Sequence, residues 1–179
     1  MADCCDRLIT GEKGADETYG SPRIEAGLLL IDVDFFGSKK AMIEAQKYSP
    51  YEMGLGRLVS LKKSRFIGQP ALRREHAAGH VRQVVGLEVE WTEVEGIYEK
   101  LGLAPSVAAT ASRVAVPVYR GSHQVGRATS TTWSPILKKM IALATVDAPH
   151  FAAGTPLQIE VTVEAVRHKV KATVVPTPF

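Results

Sequence analysis

The sequence predicts an α+β fold in which a loop-rich first part with helical segments gives way, near residue 81, to six short strands forming a compact antiparallel barrel or sandwich. Beyond Val81, β-branched runs alternate with turn residues at short spacing. Before it, Gln69 to Ala78 has helix-forming composition, Pro70 in its first turn and Gly79 after its end. With 179 residues, 45% of them hydrophobic, the chain can bury a real core.

Residues 1–19 are polar and glycine-containing with no sustained apolar period, which predicts a flexible tail. Pro22 to Phe36 carries Leu28, Leu29, Leu30, Ile31, Val33, Phe35 and Phe36, with Asp32 and Asp34 alternating in its second half. This pattern predicts a helix end broken at Gly27, followed by a strand or extended loop. Tyr48 to Gly56 is turn-rich, and Leu58 to Leu61 is expected to form a short strand. The six later strands are placed at Gln83 to Glu90, Arg113 to Tyr119, Gln124 to Thr132, Met140 to Asp147, Leu157 to Val163 and Lys169 to Val175. Arg120 to His123 is a tight turn and Pro149 to Gly154 a longer loop. Between the first two strands, Ile97, Tyr98 and Leu101 recur at helical spacing, with Gly102 closing the turn.

The formal charge of +3 is too small to argue for a nucleic-acid or lipid surface. Cys4 and Cys5 are neighbours, whose mutual disulfide would be strained and would staple nothing, so they read as reduced thiols. No apolar run approaches the roughly 20 residues of a membrane span, and residues 1–19 lack a secretory layout. The expected location is therefore cytoplasmic. His76, His80, His123, His150 and His168 are scattered over different predicted elements, so no metal site is assigned. No catalytic triad or phosphate-binding glycine loop is present.

Four segments stand out by their order: Arg23-Ile-Glu-Ala-Gly27, Ser49-Pro-Tyr-Glu-Met-Gly-Leu-Gly56, Arg65-Phe-Ile-Gly-Gln-Pro-Ala-Leu72, and the run from Val125 through Ala144. A closing Pro178-Phe179 follows. Together they resemble the glycine-cleavage T-protein, or aminomethyltransferase, family, with its R-x-E-A-G-L, T-P-x-E-x-G-L, F-I-G-x-x-A-L and V-G-x-x-T-S-G-x-x-S-P motifs. The resemblance covers Pro22 to Phe179. It implies a partial folate-binding α/β region over 20–81, followed by a six-stranded antiparallel β-barrel over 82–179.

The resemblance further implies transfer of a one-carbon unit from an aminomethyl group to tetrahydrofolate, with a lipoyl carrier protein as the donor partner. The family's key aspartate lies in an N-terminal half with no counterpart here, so no catalytic residue is assigned. Arg23 matches the motif arginine that lines the folate channel in the family; an ion pair with Glu25 or a nearby acid is the alternative. Trp133 is the second candidate for binding folate, as an aromatic channel wall, against a packing role on Ile136. Thr131 replaces the family's usual glycine.

Glu25, Gly54, Gly56 and Gly68 are read as structural, and Glu52 as a residue that fixes loop amides. Lys138 and Lys139 form a basic pair suited to a polyglutamate tail or an acidic carrier, or simply a solvated surface. The apolar run from Leu28 to Phe36 predicts a homodimer, or completion by a missing N-terminal half. Two other readings are a non-catalytic folate-binding or assembly module and the C-terminal part of a dimethylglycine or sarcosine dehydrogenase. Lys63 to Gln69 lacks the cysteine of the family's assembly branch.

Overall fold

The computed structural model describes residues 20–108 and 110–179, so the expected tail over 1–19 lies outside the described residues. Six antiparallel strands close into a barrel in the order β1-β4-β3-β2-β5-β6, settling the choice between barrel and sandwich. They are β1 (Arg82–Val89), β2 (Val116–Arg120), β3 (His123–Ser134), β4 (Lys139–Asp147), β5 (Pro156–Val163) and β6 (Val166–Val175). Pairing of β1 with β6, from Gly86 opposite Val175 to Val89 opposite Ala172, seals the sheet and leaves no free edge there.

The barrel interior is built by alternation. Val170, Ala172 and Val174 of β6 point inward together, as do Ala142, Ala144 and Val146 of β4. Small alanines at Ala128, Ala142, Ala144 and Ala172 suit the narrow bore of a six-stranded barrel. The predicted insert is helix α3 (Trp91–Lys100), which lays Val94, Ile97 and Tyr98 against this core, and Gly102 at φ +68 turns the chain away from it.

Strand β4 is buried on both faces. Its outward residues Ile141 and Leu143 form a second cluster with Ile24 of helix α1 (Gly20–Glu25), flanked by Leu29, Leu137 and Phe179. Phe179 also donates its backbone N–H to the Glu25 carbonyl at 3.0 Å, and its ring lies where a Cβ on Gly86 would sit, at 2.9 Å. The Pro-Phe terminus therefore packs the first motif onto the barrel.

Helix α2 (Gln69–Ala78) forms where the sequence places it, entered through Gly68 at φ +89 and left through Gly79 at φ +80. The strand expected at Leu58 to Leu61 does not form. Gly56 to Leu58 is a 3-10 turn, and the Leu61 carbonyl is taken by the Gln69 amide at 3.2 Å and by Arg73 at 3.1 Å. Side chains of α2 thus satisfy backbone that a neighbouring strand would otherwise have paired. Among the described residues no helix is long and apolar enough to cross a membrane.

Candidate functional site

The polar centre of the molecule lies between α1 and the outer face of β3. After α1, Gly27 at φ +67 reverses the chain, and Asp32 at φ 65 closes a tight loop by donating its N–H to the Phe35 carbonyl at 2.7 Å. That loop folds Asp34 back so that its Oδ2 accepts the Leu30 N–H at 2.8 Å. The same oxygen meets Arg23 Nη1 at 2.7 Å. Its other oxygen, Oδ1, accepts hydroxyls from Thr129 and Ser130, each at 2.6 Å. The buried carboxylate therefore has four donors, which matches its accepting capacity.

Two consecutive hydroxyls can reach one carboxylate only because β3 is bulged. Ala128 stands opposite Ala144 and Ser130 opposite Leu143, leaving Thr129 as the extra residue. A bulge of this kind puts neighbouring side chains on one side of the strand. Beyond it ordinary alternation resumes, and each outward hydroxyl finds a partner in α1. Thr132 bonds Ser21, and Ser134 donates to Glu25 Oε1 at 2.6 Å. The Thr-Ser-Thr-Thr-Trp-Ser run and the Arg-x-Glu-Ala-Gly motif are thus two halves of one seam.

Arg23 is held at three points, adding the Leu28 carbonyl at 3.1 Å and Ser130 Oγ at 2.6 Å to its Asp34 pair. Its acid partner is Asp34, and Glu25 is occupied by Ser134. Arg23 Nε is buried and has no hydrogen-bond partner among the described residues. The guanidinium is fixed in place with a donor in reserve.

A second seam joins the Ser-Pro-Tyr-Glu motif to β1. Glu52 accepts the Ser49 N–H at 3.0 Å, the loop role expected of it, and also pairs with Arg82 Nε at 3.0 Å. Arg82 spans the gap further, donating to the Ala45 and Lys47 carbonyls and lying 4.1 Å from the Tyr48 ring centroid. Gly54 adopts φ +71, and a Cβ on Gly56 would meet Tyr51 Cδ1 at 2.9 Å.

Trp133 faces the other way. Alternation along β3 puts it on the side opposite Thr132 and Ser134, away from the seam, where it packs against Trp91 of α3 with ring centroids 4.6 Å apart. Ile136 is 78% exposed. Arg23 and Trp133 are therefore not brought together. Lys139 pairs with Glu88 at 2.8 Å, and Lys138 turns the chain at φ 54. Among the described residues no group of three or more His, Cys, Asp and Glu could hold a metal ion.

Sequence reasoning did not single out Asp34, Thr129 and Ser130 as one cluster. The available signal was an acid embedded in an apolar run, together with a hydroxyl-rich strand.

Comparison with known proteins agrees with this architecture. Residues 101–179 match the family model described as the glycine cleavage T-protein C-terminal barrel domain. The chain is 35% identical over 132 residues to an aminomethyltransferase of Bacillus cytotoxicus, which covers 73% of this chain and 30% of the relative. An aminomethyltransferase of Bacillus cereus is 34% identical over the same shares. The fold resembles the glycine cleavage system aminomethyltransferase T from Bartonella henselae with a TM-score of 0.64 and 20% identity, over 89% of this chain and 37% of that one. The chain spans about 30% of the length of the curated relatives it matches.

Proposed function

We propose, for a chain whose C-terminal region is that of the glycine-cleavage T-protein family, that it is the C-terminal part of a folate-dependent aminomethyltransferase and does not complete the reaction alone. The observation that carries this reading is the buried, unpartnered Nε of Arg23, in the motif arginine that the family places at its folate channel. A folate offers carboxylate and carbonyl acceptors suited to a fixed guanidinium donor. Tetrahydrofolate, when bound, supplies the nitrogen that takes up the one-carbon unit.

This chain's own part is to hold and orient. Asp34 and Ser130 fix the Arg23 plane, and Thr129 and Leu30 fix Asp34 in turn. Trp133 is the second proposed contact, an aromatic surface shared with Trp91. Because Arg23 and Trp133 stand on opposite faces of β3, they test separate parts of the proposal. The proposed setting is the cytoplasm. The proposed partners are a lipoyl carrier protein approaching the Lys138 and Lys139 pair, and either a second copy of the chain or the remainder of a longer enzyme.

Calorimetric titration with tetrahydrofolate tests this. The expected result is binding in the micromolar range, lost in Arg23→Ala and weakened about tenfold in Trp133→Ala, as removal of a stacked aromatic does. Unchanged affinity in a folded Arg23→Ala protein would remove Arg23 from the site. No binding by the parent chain would leave it a structural half whose ligand contacts lie elsewhere.

A further inference from the structure

A pocket of about 440 Å3 lies between the outer face of the barrel and the segment that carries Phe36, Gln46 and Tyr48, and its size falls in the range of small-molecule sites. Its barrel side follows from strand register. Arg127 of β3 stands opposite Thr145 of β4, and Asp147 lies two residues further along β4, so the three share one face, with Arg127 and Asp147 as diagonal neighbours that one small molecule can touch together. The opposite wall is tied down. The Tyr48 hydroxyl and Thr145 Oγ1 bond at 3.1 Å, and the Tyr48 ring meets Phe35 edge-on at a centroid distance of 6.4 Å.

Three charged groups line the pocket, and they differ in what they have left to offer. Arg82 is spent, since it pairs with Glu52 and donates to the Ala45 and Lys47 carbonyls. Arg127 makes a single long hydrogen bond, to the Tyr48 hydroxyl at 3.4 Å, and has no ion pair among the described residues. Asp147 has neither a side-chain donor nor an ion pair among the described residues. Arg127 is half-buried and Asp147 exposed, and both border the cavity. A cation and an anion thus face one space, each without a counter-charge.

Those two open charges select a ligand. A phosphate or dicarboxylate would satisfy Arg127 and be repelled by Asp147, and a simple amine would do the reverse; a zwitterion answers both. The Phe36 ring, with the Arg127 guanidinium 5.7 Å from its centroid, and the Tyr48 ring supply aromatic surface beside them. We propose that this pocket binds an α-amino acid with an apolar side chain, its carboxylate on Arg127, its ammonium on Asp147 and its side chain against Phe36 and Tyr48. Neither Arg23 nor Asp34 lines the pocket, so the site goes beyond the folate reading and its test uses no folate.

NMR titration of the full chain with three probes of similar shape tests this: L-phenylalanine, hydrocinnamate, which lacks the ammonium, and phenethylamine, which lacks the carboxylate. L-phenylalanine should bind the parent chain about tenfold more tightly than either of the others, the worth of a charge-assisted hydrogen bond. In Arg127→Gln its advantage over phenethylamine should vanish while that over hydrocinnamate persists, and in Asp147→Asn the reverse should hold. Absence of L-phenylalanine binding, equal binding of the three probes by the parent chain, or an advantage that survives loss of the charge assigned to it would overturn the proposal. The ranking in the parent chain decides the matter even where a variant fails to fold.

Discussion

Asp34 does most to join the two parts of the chain. It is fully buried, its partner Arg23 is nearly so, and both the loop amide and the β3 hydroxyls converge on it. Asp34→Asn keeps the shape but leaves the Arg23 cation without its counter-charge. Removing one partner of a buried pair costs about 3–5 kcal/mol, and urea denaturation should show a loss of that order. A loss under about 1 kcal/mol would mean that the pair behaves as an exposed one. The sequence marked Arg23 by its motif and offered an ion pair with Glu25 or a nearby acid as its alternative role, and the acid that pairs with it is Asp34. That choice depends on the reversal at Asp32, whose φ of 65 returns Asp34 to the Leu30 amide, and no periodicity reports such a turn.

At the scale of elements, α3 is latched to β6 by Glu93, which accepts the Lys171 N–H at 2.8 Å and pairs with its ammonium. The hydrogen bond from the Lys171 side chain holds the Glu93 carboxyl below its ordinary value of 4.5, and the same contact raises Lys171 above its own. A lowered carboxyl contributes stability above its unfolded pKa and loses it as pH falls through the folded value. Glu93→Gln should therefore lower the melting temperature slightly at pH 7, and its difference from the parent should shrink below about pH 4. A difference that stays constant down to pH 2 would show that the carboxylate charge is not what latches the helix. Helices α2 and α3 and all six strands were legible from proline, glycine and β-branched patterning, with ends shifted by a few residues. Val116 begins β2 later than Arg113 suggests, and ahead of it Ser112 makes an isolated bridge to Thr131. The Leu58 to Leu61 run looks like a strand but begins in a 3-10 turn and has its last carbonyl, that of Leu61, claimed by α2. The bulge at Thr129 was not legible, since it is set by the pairing of β3 with β4.

At the scale of the molecule, the region before the barrel is an outer layer that covers Ile141 and Leu143 and keeps much of its own apolar surface outside. Leu28 is 62% and Ile31 55% exposed, close beside the Arg23 seam. Apolar side chains grouped in this way favour association. Light scattering at micromolar concentration should find a dimer that Leu28→Ser with Ile31→Ser converts to monomer; a parent chain that is already monomeric would contradict this. The Arg23 guanidinium is locked by Asp34 and Ser130, Nε–H is the donor that we propose for folate, and its resonance in 15N NMR reads this directly. With the signal assigned by its loss in Arg23→Lys, added tetrahydrofolate should shift it in a saturable manner, with the same midpoint as the calorimetric titration. A signal that stays in place while tetrahydrofolate binds would contradict the claim and put the folate contact on other residues.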